Sequence, residues 1–404
     1  MKRKVLATLV AATFALGAGA AQAQISDGVI KIGVMNDMSG LYADIAGPGS
    51  VVAAKMAVED FGAAKKGMKV EVVGADHQNK PDIGSTIART WYDTDKVDVI
   101  VDVPTSSVAL AVNQITREKG KAFLVSGAAT SDLTGKACSP NTIHWTYDTW
   151  MLANGTGAAI VKTGGDSWFF LTADYAFGHA LERDTEAVVL KNGGKVLGKV
   201  RTPFPGTDFS SFLLQAQASK AKIIGLANAG GDTINSIKQA AEFGIVKSGQ
   251  NLAGMLVFLT DIKALGLPTA QGLIFTSTFY WDRDDASRAF AKRFIAQSPN
   301  GNYPTMVQAG VYSSVIHYLK AVEALKSDDG TKVIAKMKEM PTDDPLFGKG
   351  SVRADGRKIH NAYLVEVKKP AESKGPWDLL KVRATIPAAE TFRPVADGGC
   401  PLVK

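Results

Sequence analysis

Short runs of apolar, mostly β-branched residues alternate along the chain with longer segments whose apolar residues recur at helical spacing. In the segment 47–62, Val51, Ala54, Val58 and Phe61 are three or four residues apart, which places them on one helix face. The same spacing predicts a longer helix over 303–326. The predicted strands are Val29–Met35, Lys69–Val73, Val97–Val103, Ala122–Val125, Trp168–Thr172, Ile223–Leu226, Leu256–Leu259 and Leu273–Ser277.

This alternation of strands and helices predicts an α/β fold in which right-handed βαβ units build parallel sheets. The units suffice for two sheets. Near the C-terminus, the segments 359–368 and 377–383 flank a polar stretch that contains proline, a pattern typical of a β-hairpin with a long loop. Because no low-complexity linker is present, we expect the chain to cross between two domains through short strands.

The N-terminal segment has the pattern of a secretory signal peptide. Lys2, Arg3 and Lys4 precede an uncharged, mostly apolar run that ends in the small-residue triplet 21–23, so cleavage is expected after Ala23. A retained membrane anchor is the alternative, but the run is short, rich in Ala and Gly, and followed by no stop-transfer pattern. Export favours a periplasmic role such as the capture of small solutes.

Length and charge narrow the possible functions. Cleavage would leave 381 of the 404 residues, a length that suits two domains. The formal charge of +7 would fall to +4, because three cations leave with the signal segment. Since the remaining excess is small and dispersed, it indicates a solvated surface and does not predict binding to nucleic acid.

The chain has two cysteines, Cys138 and Cys400. An even number in an exported protein predicts one disulfide, which here would tie the C-terminal tail to the first half of the chain. Two buried free thiols are the alternative. Neither cysteine has the spacing of a metal site or of a redox motif.

Two loops at the carboxyl ends of predicted strands could bind a carboxylate. After strand 97–103, Ser106 and Ser107 open a helix, where free N–H groups and the helix dipole favour an anion. After strand 122–125, a loop of small residues leads to Thr130. Its Gly127 and the backbone of Ala128 and Ala129 would allow close approach of a ligand. Each hydroxyl could instead serve only as a helix cap.

Two further loops follow strands of the second predicted sheet. Tyr175 and Phe177 lie after strand 168–172 and would suit an apolar ligand group. Asn228 and Asp232 lie in a Gly-rich turn after strand 223–226, where the acid would suit an ammonium or a hydroxyl. Asp232 could equally be a helix cap. Four more aromatic residues could line a ligand site or belong to the core: Trp145, Tyr147, Tyr280 and Trp281.

Together these segments resemble the type I periplasmic solute-binding proteins of ABC importers, in particular the leucine/isoleucine/valine-binding group. The resemblance covers essentially the whole mature chain. It rests on five segments in this order: IKIGVMNDMSGLYADIAGPGSVVAAKMAVEDFG, DVPTSSVALAV, AFLVSGAATSDLT, ADYAFGHAL and ANAGGDTINSIKQAAEFG.

The resemblance implies two Rossmann-like lobes that are joined by three hinge crossovers and close on a ligand. Lobe 1 would comprise 24–147 with 279–352, and lobe 2 would comprise 148–278 with 353–404. Ser107, Thr130 and the backbone of Ala128 would hold a ligand carboxylate, and Tyr175 would close on it from lobe 2. Asp232 falls where the amino-acid binders keep an acid for the ammonium. The implied partner is the membrane permease of an ABC importer, and we expect a monomer.

The chain departs from the amino-acid binders at the acid, because Asp232 is shorter than their usual glutamate and lies in a turn richer in glycine. The same broad family includes binders of aromatic acids, which need no ammonium partner. We therefore expect a hydrophobic or aromatic carboxylate as the ligand, with a branched-chain or other hydrophobic amino acid as the alternative. A sensory ligand-binding protein is a second alternative.

Catalysis is not predicted. The five histidines are far apart in sequence without a zinc-binding pattern, and neither a GxSxG nucleophile motif nor a nucleotide-binding glycine motif is present. A site of hydroxyls and backbone amides without a base or nucleophile binds a ligand but does not transform it. We expect no metal and no cofactor.

Overall fold

The computed structural model describes residues 25–403, so the predicted signal segment and its cleavage site lie outside the described residues. The strands are β1 (Ile30–Asn36), β2 (Val70–Asp76), β3 (Val99–Asp102), β4 (Ala122–Val125), β5 (Thr142–His144), β6 (Ser167–Ala173), β7 (Lys195–Thr202), β8 (Ile223–Ala227), β9 (Asn251–Gly254), β10 (Ile274–Ser277), β11 (Thr342–Asp344), β12 (Gly348–Val352), β13 (Lys358–Ile359), β14 (Ala362–Val367) and β15 (Leu380–Ile386).

The α-helices are α1 (Gly47–Phe61), α2 (Pro81–Asp93), α3 (Ser106–Lys119), α4 (Thr149–Leu152), α5 (Ala158–Lys162), α6 (Ala176–Lys191), α7 (Ser210–Ala218), α8 (Gly231–Glu242), α9 (Leu259–Leu265), α10 (Leu267–Ala270), α11 (Asp285–Ile295), α12 (Met306–Leu325), α13 (Gly330–Glu339) and α14 (Ala388–Thr391). A π-helical turn, Ala153–Gly157, joins α4 to α5.

The first lobe is built on a parallel sheet in the order β2-β1-β3-β4-β5. Strands β3 and β4 are buried along their whole length, as expected of strands covered by helices on both faces. Helices α1 and α12 pack against each other. Helix α12 is almost entirely buried, because apolar and small residues surround its whole circumference.

The second lobe contains a parallel sheet in the order β7-β6-β8-β9 and an antiparallel sheet in the order β10-β14-β15. The predicted C-terminal hairpin is confirmed as the antiparallel pair β14–β15. Two sheet cores of α/β architecture confirm the predicted fold class.

The chain passes between the lobes at three places, after β5, after β10 and after β13. The third passage is anchored by Arg357, whose buried guanidinium donates to the carbonyl of Tyr147 at 3.1 Å in the first passage. The predicted residue boundaries of the lobes stay a prediction.

One predicted strand is wrong. Residues 256–259 form the loop that follows β9, and Leu259 is already the first residue of α9. Their apolar character has another cause, since all four are buried, Leu256 and Phe258 in the core that includes Tyr147, and Val257 and Leu259 in the core of lobe 2.

The predicted disulfide is confirmed, because Cys138 and Cys400 are bonded across 262 residues of chain. It returns the chain from β15 of the second lobe to the loop after β4 in the first. Within residues 25–403, no helix has the length and apolar character to cross a membrane.

Candidate functional site

A small cavity lies between the two lobes, at the carboxyl ends of their strands. In parallel α/β sheets this edge is the usual position of a ligand site. Its walls are largely aromatic, and among the described residues no charged side chain lines it. The lining residues are Tyr42, Ile45, Pro104, Gly127, Ala129, Tyr147, Tyr175, Phe177, Ala229, Leu256 and Phe258.

The turn between β3 and α3 brings lobe 1 backbone to this cavity in an unusual conformation. Asp102 has φ 81° and Val103 has φ 54°, and such left-handed angles are strained for a β-branched residue. Pro104 follows directly and lines the cavity. Strain of this kind persists only where surrounding structure enforces it, and it is common at ligand sites.

The neighbouring loop after β4 approaches this turn closely because residue 127 is glycine. A Cβ atom there would lie 2.6 Å from Cα of Pro104 and 2.8 Å from a carboxylate oxygen of Asp102. Gly127 therefore lets the two loops approach closely, and the close approach of a ligand that it would allow stays a prediction. The two loops form one continuous wall of the cavity.

The predicted carboxylate residues lie at the junction of these loops. Ser106 is fully buried, and its Oγ accepts a hydrogen bond from the backbone N–H of Thr130 at 3.2 Å. Thr130 caps the short helix 131–134 through a 3.4 Å bond from the N–H of Asp132 to its Oγ1. The structure thus brings Ser106 and Thr130 together, one residue away from the cavity wall at Ala129. Ser107 is half-buried in the first turn of α3.

The carbonyl of Ala128 helps to fix this loop, and the carboxylate contact that the resemblance implies for its backbone stays a prediction. Its carbonyl accepts a hydrogen bond from Nε2 of His144 at 2.8 Å. Burial lowers the pKa of His144 well below its usual range, so this imidazole is neutral and fixes the loop without adding charge.

Three aromatic rings close the cavity from both lobes. The hydroxyls of Tyr42, from lobe 1, and Tyr175, from lobe 2, are 2.7 Å apart. Phe204 stacks on Tyr175 with ring centroids 3.9 Å apart and lies 6.0 Å from Tyr42. The lobes are therefore in a closed arrangement.

Tyr42 is held in place by Asp37. Both carboxylate oxygens of Asp37 accept backbone hydrogen bonds in this loop, from the N–H of Gly40 at 2.7 Å and from that of Tyr42 at 2.9 Å. The side-chain amide of Asn79, in the loop before α2, donates to the same carboxylate. The loop that carries Tyr42 is thus rigidly connected to the lobe 1 sheet.

Asp232 lies close to this aromatic group in the first turn of α8. One carboxylate oxygen accepts the N–H of Gly206 at 3.1 Å, and the other has no hydrogen-bond partner among residues 25–403. Burial raises the pKa of Asp232 to about 7. Burial also raises the pKa of Tyr42 and of Tyr175, and the nearby Asp232 raises both further.

Asn228 supports the turn that carries Asp232. Its side-chain amide donates to Ser236 at 3.0 Å and accepts from Thr233 at 2.7 Å, and it is fully buried. These partners occupy the amide within lobe 2. Ala229, the next residue, is the one that lines the cavity.

The remaining predicted aromatic residues separate into two groups. Tyr147 lines the cavity, and its hydroxyl donates to the carbonyl of Gly127. Tyr280 lies behind Phe258 in the core of lobe 2, where its hydroxyl accepts the N–H of Leu380 at 3.4 Å. It contributes to a second cavity and not to this one.

Sequence reasoning missed several lining residues, above all Tyr42, Leu256 and Phe258. A signal for the last two was present, because the apolar run 256–259 follows a glycine at the carboxyl end of a strand. No local pattern indicated Tyr42, since its position depends on the distant contacts of Asp37.

Residues 29–375 match the family described as periplasmic binding protein. A crystal structure of a periplasmic binding protein from Burkholderia mallei is 54% identical and covers 94% of this chain and 100% of its own, with a TM-score of 0.91.

A branched-chain amino acid ABC transporter periplasmic ligand-binding protein from Burkholderia xenovorans is 41% identical. The match covers 93% of this chain and 100% of that one, with a TM-score of 0.82. A Leu/Ile/Val-binding protein homologue from Brucella melitensis is 26% identical over 91% of this chain and 93% of its own.

Proposed function

The chain belongs to the periplasmic binding protein family, and from this premise we propose that it captures a small hydrophobic or aromatic carboxylate between its lobes and delivers it to an ABC importer permease. A protein of this family works outside the cytoplasm. We propose that residues 1–23 direct its export and are removed after Ala23. It binds its ligand and does not transform it.

The observation that carries the ligand class is the uncharged, aromatic wall of the interlobe cavity. Five of its lining side chains are aromatic: Tyr42, Tyr147, Tyr175, Phe177 and Phe258. Aromatic rings prefer to pack edge-to-face or offset on other rings, which gives a bound ring several partners at once. Ser106 and Thr130 are bonded to each other beside the lining residue Ala129, and their hydroxyls would suit a ligand with a carboxylate.

A branched-chain or other hydrophobic amino acid is the second candidate. It is favoured by the unpartnered carboxylate oxygen of Asp232, which could accept a bond from an ammonium group. It is also favoured by the two relatives named for branched-chain amino acids. The raised pKa of Asp232 argues against this candidate. A carboxyl with a pKa of about 7 is only partly ionised at neutral pH, and it becomes fully charged only after an ammonium has bound.

The capture mechanism follows from the closed arrangement. An open form would bind the ligand through the loops of lobe 1, and contacts from Tyr175 and its neighbours would then favour the closed form. A ligand shifts this equilibrium only by as much as it interacts more strongly with the closed form.

A thermal-shift panel of benzoates, phenylpropanoids and hydrophobic amino acids tests the proposal, because a ligand raises apparent stability by mass action. We expect aryl carboxylates to give the largest shifts, and calorimetry would then measure their dissociation constants. A panel in which only amino acids stabilise the protein would replace the first candidate by the second.

The Asp232→Asn variant separates the two candidates independently. Aryl carboxylate affinity is expected to stay within about threefold, because Asn can still accept the N–H of Gly206. Amino-acid affinity would fall by on the order of a hundredfold, since a buried ammonium would lose its charged partner.

Turnover of any bound ligand, followed by chromatography, would contradict a binding function.

A further inference from the structure

A second small cavity adjoins the first, and Phe258 lines both. The second cavity is bounded by Phe275 and Tyr280 of lobe 2 and by Met306 at the start of α12. These side chains belong to two different hydrophobic cores, with Met306 in one and Phe275 and Tyr280 in the other. The cavity therefore lies at the seam between the lobes, in line with the ligand site.

Phe258 is fixed where it stands. Its backbone N–H donates to a carboxylate oxygen of Asp261 at 2.9 Å, which ties the residue to the first turn of α9. Its ring meets that of Tyr147 edge-on, with centroids 6.1 Å apart and an interplanar angle of 69°. The side chain is buried, with 3% of its surface exposed. Because its backbone is bonded to Asp261 and its ring packs against Tyr147, the buried Phe258 side chain acts as a wall.

Tyr147 shows which end of the ligand site this wall closes. Its hydroxyl reaches the carbonyl of Gly127, in the loop that leads to Thr130. Its ring contacts Phe258 edge-on. Tyr147 thus lies between Phe258 and the loop that leads to Thr130.

We propose that Phe258 determines ligand length, by separating the two cavities and closing the site opposite the ligand carboxylate. The inference rests on the proposed function and refines its ligand class. The native ligand is then a compact aryl carboxylate without a bulky group opposite the carboxylate.

The second cavity also defines what a longer ligand would have to be. Its polar groups already have partners, since Ser277 donates to the carbonyl of Phe279 at 2.8 Å and Tyr280 accepts from Leu380. Burying a charged extension there would cost solvation free energy without a compensating hydrogen bond, whereas burying an alkyl extension carries no such cost. Removing the Phe258 ring should therefore admit alkyl groups.

The test compares benzoate with 4-propylbenzoate by calorimetry in the wild type and in Phe258→Ala. We expect the wild type to bind benzoate about tenfold more tightly or better, and the variant to shift the affinity ratio by about tenfold or more towards 4-propylbenzoate. Phe258→Leu preserves more of the core and should give a smaller shift in the same direction. Phe275→Leu is the matched control, because it enlarges the second cavity without removing the wall, and its ratio should equal that of the wild type.

Equal binding of both probes by the wild type would overturn the inference, as would an unchanged ratio in both Phe258 variants. If the wild type bound amino acids and no benzoate, the ligand class of the proposed function would fail separately. The same ratio measured for leucine against 2-aminooctanoate would then decide the role of Phe258.

Discussion

At the scale of single residues, the site has few hydroxyl groups and several buried acids whose raised pKa keeps them partly protonated. Burial raises the pKa of Asp102, Asp232 and Asp261 to about 7 in each case. Each carboxyl makes at least one hydrogen bond, Asp232 to Gly206 and Asp261 to Phe258. These acids support the loops around the cavity without placing full negative charge beside a carboxylate ligand.

Replacing Thr130 by Ala should weaken the binding of an aryl carboxylate by on the order of 1–3 kcal/mol, because a buried carboxylate would lose one hydroxyl donor. Calorimetry measures the change. Thr134→Ala is the matched control, since Thr134 is buried in the same short helix and its hydroxyl bonds, among residues 25–403, only to the carbonyl of Ser131. Equal losses in both variants would show that Thr130 acts through the helix and not through the ligand.

Asp232 should make the free energy of unfolding depend on pH. Its carboxyl ionises near pH 3.8 in the unfolded chain but keeps its proton to about pH 7 in the folded protein, where burial raises the pKa. The unfolded state therefore binds fewer protons between these values, and stability falls as pH rises from about 4 to 7. In Asp232→Asn this contribution is absent, so the variant should gain on the order of 3–4 kcal/mol relative to the wild type across that range.

Urea unfolding at pH 4, 5.5 and 7 measures this difference. Asp102 and Asp261 titrate in the same direction but are present in both proteins, so they cancel in the comparison. A difference that stays constant with pH would show that Asp232 is ionised in the folded protein.

At the scale of elements, the site depends on how closely two loops of lobe 1 approach each other. Gly127→Ala should separate them, because the new Cβ would lie 2.6 Å from Pro104. We expect a loss of about 1–3 kcal/mol in stability together with weaker ligand binding. Denaturant unfolding and calorimetry test both effects. Gly375→Ala is the control, since a Cβ there has no atom within 4 Å; if both variants behaved alike, the close approach would have no energetic effect.

Sequence patterns predicted these elements well wherever local periodicity and burial agree. Strand β4 matches its predicted bounds, and the helix expected over 47–62 is α1, Gly47–Phe61. The edge strand β7 was missed because its residues alternate between exposed and half-buried, so it has no apolar run. The run 256–259 was misinterpreted for the opposite reason, since its apolar residues are buried in a loop and a helix start between two hydrophobic cores and not in a strand.

The sequence could predict those site residues that lie in loops at the carboxyl ends of strands. The approach of Gly127, the burial of Ser106 and the position of Tyr175 come from such loops. Tyr280 has the same kind of neighbourhood in sequence but lies on the far side of Phe258. That distinction depends on lobe packing, which no local pattern encodes.

At the scale of the whole molecule, the two lobes are joined by contacts of two kinds. Beside the hinge, Ser131 of lobe 1 donates to Asp184 on α6 at 2.6 Å, and the disulfide returns the tail of lobe 2 to the same region. Across the mouth of the cavity, the hydroxyls of Tyr42 and Tyr175 are paired, and Tyr42 also packs against Phe204. Separation of the lobes to admit a ligand must break these contacts.

Tyr42→Phe should therefore shift the protein towards the open form. One lost hydrogen bond is worth about 1 kcal/mol, which corresponds to roughly a fivefold weaker apparent affinity when closure is coupled to binding. The ligand-free variant should also show a larger radius of gyration by small-angle X-ray scattering. Because Tyr175→Phe removes the same bond, the double variant should lose no more than either single variant, as expected for residues that interact directly. If the two losses were additive, each tyrosine would act on the ligand separately, and the hydroxyl pair would not stabilise closure.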